Sequence, residues 1–178
     1  MKNKRVKNLV LAAMFLSIGL ILPFFTGQIK EIGNMLLPMH LPVMLCGLIC
    51  GWKYGGIVGL VLPLLRSVLF GMPPIYPNAA AMAFELCAYG LLIGIFYRLF
   101  RKKNILAIYG SLIPAMLGGR LIWGLAQTVF LGISGKEFTL ASFWAGGFAN
   151  ALPGILLQLI LIPGLMVLIN GQTEKKTK

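Results

Sequence analysis

Six long apolar runs divide this chain, and several approach or exceed the roughly 20 residues that a helix needs to cross a bilayer core. They are too long and too little alternating for the strands of a membrane barrel. The reading is an all-α integral membrane protein with six transmembrane helices, roughly 6–26, 35–52, 55–71, 79–100, 105–131 and 143–169. Short connections leave no room for a separate soluble domain, so residues 1–178 are expected to form one membrane domain. Composition agrees: 58% of residues are hydrophobic, only 11% are charged, and the mean hydropathy is +0.89. The first run lacks a small-residue cleavage site and is expected to be a membrane helix, not a removed leader.

The formal net charge of +12 invites a nucleic-acid reading, but the basic residues cluster at the ends of the apolar runs. Placing both termini in the cytoplasm puts twelve of the sixteen lysines and arginines on that side, as the positive-inside rule requires. Lys30 and Lys136 then face outward, and Arg66 and Arg120 are left at membrane depth. No nucleic-acid partner is expected. Cys46, Cys50 and Cys87 form no CxxC or Cys/His pattern, so they read as small packing residues and no metal site is expected.

A charge in hydrocarbon costs about 2.5–3.5 kcal/mol even on lenient scales, so each needs a partner or a wet cavity. Counting inward from the outer helix ends, His40, Arg66, Glu85 and Gln127 lie roughly 6–10 Å deep and Asn150 somewhat deeper, with Arg120 nearer the midplane. Apart from Gln158 and a few small hydroxyl residues, the inner half carries almost no polar groups. A polar cavity opening outward is the expectation.

Helical spacing groups these residues. Arg120, Trp123 or Gly124, and Gln127 share one face; Asn78, Met82, Glu85 and Tyr89 share another; Gly147, Asn150 and Gly154 share a third. Such faces line a small solute, although Gly118, Gly119 and Gly154 equally serve close helix packing. Arg66 and Glu85 flank the proline-rich loop "MPPIYPN" at matched depth and either neutralise each other or meet a ligand. His40 either bonds local backbone or touches a ligand. Arg120 finds no carboxylate of its own, since Glu31, Glu137 and Glu174 fall in loops or the tail, so a substrate carboxylate is expected to complete it.

Several chemistries are excluded. "GISGKE" is no phosphate loop, because Phe130 stands where the first glycine is required and Glu137 where the hydroxyl residue is. No HExxH, GxSxG or paired metal-binding aspartates occur, so neither catalysis nor a cofactor is expected. A freestanding secondary carrier and a ligand-free assembly protein remain as alternatives.

The run "PMHLPVMLCGLICGWKYGGIVGLVLPLLRSVLFGMPP", followed by "AMAFELCAYGLLIGIFYRL" and preceded by the alanine-rich "NLVLAAMFLSIG", resembles the substrate-binding S components of energy-coupling factor (ECF) vitamin transporters. The most specific part is residues 38–99. The resemblance implies six helices in the bacterial cell membrane and a vitamin held near the external face, between the last three helices and the outer loops. It also implies a transmembrane coupling subunit and two cytoplasmic ATPase subunits as partners, which explains the missing phosphate loop. The docking motif falls on Ala13 and Ser17, where serine replaces the more usual second alanine. Two membrane arginines against one glutamate favour an anion, and Gln127, Asn78 and Asn150 suit an amide and hydroxyls. Pantothenate fits best. A B6-type or hydroxymethylpyrimidine vitamin is the runner-up, with Glu85 or His40 on the ring and hydroxyls and Trp144, Tyr76 or Phe148 stacked on it.

Overall fold

The computed structural model describes residues 2–26 and 35–175, with side chains over 3–26 and 35–169. Lys30, Glu31, Lys176 and Lys178 lie outside the described residues. Among those described there is no strand. Helix α1 (Lys2–Ile21) runs into a 3₁₀ turn (Leu22–Thr26), and α2 (His40–Cys50) and α3 (Trp52–Phe70) follow. A π-type turn (Ile75–Ala79) leads into α4 (Ala80–Leu99), and α5 (Ile105–Ile133) comes next. The short α6 (Leu140–Trp144) and a second π-type turn (Ala145–Ala149) precede α7 (Leu152–Lys175).

Five stretches are long and apolar enough to cross a membrane: Asn3–Phe25, Trp52–Phe70, Ile75–Leu99, Ile105–Ile133 and Leu152–Ile169. Their outward faces are greasy. Val68, Leu106 and Ile160 are each 71% exposed, an arrangement that water would penalise and lipid does not.

Two expected spans differ from their sequence reading. The segment 35–52 yields only the eleven residues of α2, about 16 Å of helix, which is short of a bilayer core. Pro38 disfavours a helical conformation at the residue before it, and Leu37 accordingly leaves the helix with φ 50°. The segment 143–169 is broken at Asn150 and Ala151, so the last long helix starts at Leu152. Pro153 supplies no N–H to the Ala149 carbonyl four residues back, and this ends the preceding turn.

Glycines hold α2, α3 and α4 together as one slab. A Cβ on Gly55 would lie 2.6 Å from the Gly47 Cα and 2.8 Å from the Gly90 carbonyl oxygen, so only glycine permits that approach. A Cβ on Gly59 would collide with the Leu86 carbonyl, which fixes α4 against α3 right beside Glu85. Gly51 alone joins α2 to α3, at φ 96°, where a side chain would be strained.

Helix α1 is stapled to this slab at both ends. Asn8 Nδ2 donates to the Cys50 carbonyl at 3.2 Å, and Arg66 Nη1 donates to the Leu20 carbonyl at 2.6 Å. Cations suit the carbonyl end of a helix. The Arg66 guanidinium also sits over the rings of Phe24 (5.0 Å) and Phe70 (5.3 Å), a cation–π pairing that offsets its burial.

Candidate functional site

Three helices bring ionisable side chains to one buried point. His40 opens α2, Glu85 lies one turn and a half into α4, and Arg120 lies midway along α5; they are 1%, 1% and 4% exposed. Arg120 Nη1 donates to Glu85 Oε1 at 2.8 Å. His40 Nε2 stands 3.3 Å from the same oxygen, at ion-pair distance when protonated but outside hydrogen-bond geometry. Tyr89, one turn beyond Glu85, places its ring edge-on to His40 at 5.1 Å between centroids and rests against Gly119 of α5.

This geometry corrects the sequence reading of the charges. Glu85 pairs with Arg120, not with Arg66, and Arg120 does have a carboxylate of its own. Arg66 is committed to α1 through Leu20 and the two phenyl rings. Helical periodicity places Arg66 and Glu85 at matched depth but not on facing sides, and the glycine slab turns Glu85 toward α5.

Arg120 is nevertheless incompletely satisfied. Its Nε and Nη2 atoms, the edge that grips a planar acid side-on, have no hydrogen-bond partner, and neither has Gln127 Oε1 two turns further along α5. Both side chains are buried, and an unmade hydrogen bond there costs about 1–3 kcal/mol per group. Between them lies Gly124, against which the Phe143 ring packs; a Cβ there would come within 2.6 Å of it. Phe143 stacks on Trp123 at 6.3 Å, and Phe138 meets the same indole edge-on at 5.7 Å. An aromatic cover from α6 and its flanking loop thus lies across the C-terminal half of α5.

The remaining expected residues sit at the rim. Asn78 is half-buried, Asn150 is exposed because the break at Asn150 and Ala151 turns it out, and Trp144 is 57% exposed. Tyr76 is spent on the rim itself, its hydroxyl donating to the Phe130 carbonyl and accepting from Ser134 Oγ at 3.1 Å. Ser67 Oγ, bonded to the Pro73 carbonyl at 2.6 Å, ties down the same loop. Gly118, Gly119 and Gly154 make close packing contacts, with Leu92, Tyr89 and the Met35–Leu36 backbone respectively. Ala13 and Ser17 are exposed on α1, where Ser17 Oγ bonds the Ala13 carbonyl at 3.0 Å.

Phe143 and Gln158 were not among the expected site residues, whereas Trp123 was one of the two alternatives on the Arg120 face. Trp123 and Phe143 form the cover, a pairing visible only once α6 folds back on α5. Gln158 is fully buried with an unsatisfied amide, and its signal was being the lone amide in the apolar run of α7.

A buried, half-satisfied cluster of polar side chains thus lies beneath an aromatic cover within an all-helical membrane scaffold. The family model for the ECF transporter, substrate-specific component, covers residues 7–166. The chain belongs to this family. Comparison with curated proteins gave no match, and comparison with solved structures gave none. As an ECF substrate-specific component, the chain is a transporter subunit and a multi-pass membrane protein, and its family implies a small-molecule substrate and an ECF module as partner.

Proposed function

We propose that this substrate-specific component captures a small anionic vitamin from outside the cell, with pantothenate the best candidate, and delivers it through an ATP-driven ECF complex. The observation that carries this reading is the buried side-on edge of Arg120, unpartnered although Nη1 is already held by Glu85. A carboxylate fits that edge with two parallel charge-assisted hydrogen bonds. Glu85 and His40 then act as positioning groups that hold the guanidinium plane, while Gln127 Oε1 accepts from an amide or hydroxyl further along the vitamin. Phe143 and Trp123 exclude water above it. A ring-bearing vitamin of the B6 or pyrimidine type is favoured instead by the aromatic cover alone, with Trp144, Phe148 or Tyr76 stacking and Asn78 or Asn150 at the rim.

The exposed face of α1 supports the partner reading. Val10, Ala13, Met14, Ser17 and Ile21 turn outward together, small in the middle and apolar at the ends, which suits close approach of another helix. A transmembrane coupling subunit docks there, and two cytoplasmic ATPases supply the energy. Both termini face the cytoplasm of a bacterial cell, and α2 serves as a short sixth membrane segment behind the site.

The test is mass spectrometry of the vitamin that copurifies, followed by calorimetry with pantothenate and pyridoxine. Submicromolar pantothenate binding and no pyridoxine heat is the expected result. Transport by the lone chain down an ion gradient in liposomes would instead make it a freestanding carrier.

A further inference from the structure

Between the N-terminal end of α1 and the C-terminal end of α2 lies a cavity of about 560 Å³, lined by Asn3, Lys4, Lys7, Asn8, Leu11 and Ile49. It is separate from the Arg120 cluster, because Ile49 lies nine residues along α2 from His40, about 14 Å of helix. Lys4 and Lys7 are exposed, and among the described residues neither makes an ion pair. We infer that this cavity holds the headgroup of an anionic phospholipid, its phosphate between Lys4 and Lys7 and its glycerol and first methylenes against Leu11 and Ile49. The inference is independent of which vitamin the protein takes.

Charge supports it. Lys53, at the start of α3 and over the Trp52 ring at 5.3 Å, adds a third cation at this end of the bundle. Of the chain's four acidic residues, Glu85 is buried beside Arg120, Glu137 follows the C-terminal end of α5, and Glu31 and Glu174 have no described side chain. The carbonyl end of α2 is partly negative, but Asn8 Nδ2 already bonds its Cys50 carbonyl at 3.2 Å. Shape favours a lipid over a free phosphate. From Lys4 to Leu11 the wall turns from charged to apolar over about 10 Å of helix, the scale of the step from headgroups to hydrocarbon. The membrane-crossing stretch that carries both residues begins at Asn3, so the cavity lies at headgroup level. Lysines near helix ends ordinarily reach that level without holding any one lipid. Here two of them share a cavity with Leu11 and Ile49, so a seated lipid gains apolar contact as well as charge. Basic pockets between membrane helices take anionic headgroups at the cytoplasmic surface, and α1 begins there in the orientation proposed above.

The experiment is native mass spectrometry of the detergent-solubilised protein titrated with phosphatidylglycerol or with phosphatidylcholine of the same acyl chains. It compares wild type, Lys4→Gln combined with Lys7→Gln, and Ile49→Phe, which fills the cavity and keeps both lysines. Arg101→Gln combined with Lys102→Gln removes the same charge from the exposed α4–α5 connection and is the control. Wild type and control should retain one phosphatidylglycerol at least about tenfold more tightly than phosphatidylcholine, and both cavity variants should lose that preference. Either cavity variant serves if the other fails to fold. Equal retention of the two lipids by wild type would overturn the inference, as would an equal loss in the lysine variant and the control, which marks unspecific surface charge. Glycerol 3-phosphate, the headgroup fragment without acyl chains, should leave the lipid in place at equal concentration; displacement would make the ligand a free phosphate ester and overturn the lipid. Wild type that retains no phosphatidylglycerol, with ECF complex assembly lost in the lysine variant, would assign the cavity to an acidic segment of the coupling subunit instead.

Discussion

Arg120 and Glu85, thirty-five residues apart in sequence, share one hydrogen bond of 2.8 Å in the buried centre of the helix bundle. The bond leaves the arginine charged, oriented and only half used. A pair of this kind contributes little net stability over an apolar replacement, yet removing one partner strands the other. On the proposed reading, the free edge of the guanidinium holds the acid group of the substrate.

Stability should report the pair first. Arg120→Met alone strands Glu85 and is expected to lose about 3–5 kcal/mol, whereas Glu85→Gln combined with Arg120→Met recovers most of it. Thermal unfolding of both variants in detergent checks this. An equal loss in single and double variants would mean that the two residues are not coupled.

Arg66 has a different role, and a different response is expected. Arg66→Met removes the donor to Leu20 and the cation between Phe24 and Phe70, lowering stability by about 1–3 kcal/mol. Pantothenate affinity should stay within about twofold of wild type. A tenfold loss in a folded variant would return Arg66 to the binding site.

At Gly55 the backbones of α2, α3 and α4 meet. Gly55→Leu has no space to fill, and overpacking of at least about 1–3 kcal/mol is expected together with displacement of Glu85. Low yield and a lowered melting temperature are the readouts. A variant as stable as wild type would contradict the tight slab.

Transport and binding should separate on α1. Ala13→Trp places a large ring on the exposed face without touching the buried one. Vitamin binding by the isolated subunit should be unchanged while uptake in the reconstituted complex falls at least about tenfold. Normal uptake would move the docking surface elsewhere.

Much of the scaffold was legible in the sequence because hydropathy and glycine carry it. Four of the six apolar runs, the first, third, fourth and fifth, located their helices within a few residues, and Gly118, Gly119 and Gly154 proved to be packing contacts, one of the two roles open to them. Local proline chemistry was harder to weigh. Pro38 shortened the second segment and Pro153 restarted the last, although both lie inside runs of unbroken hydrophobicity. The pairing of charges was least legible. Spacing assigns Glu85, Arg66 and Arg120 each to a face of its own helix, but which face meets which neighbour follows from rotations set by glycine contacts such as Gly59 with Leu86. His40, Glu85, Arg120 and Gln127 share a buried position in the bundle. Asn150 departs from it, because a helical period cannot be carried through a break.

Affinity for pantothenate relative to its neutral alcohol analogue, measured by calorimetry on wild type and on Arg120→Gln combined with Glu85→Gln, tests the binding role of Arg120 most directly. Wild type should prefer the acid by at least about tenfold, and the neutralised pair should bind both alike. Equal affinity of wild type for acid and alcohol, or a preference that survives neutralisation, would contradict a carboxylate on the free edge of Arg120.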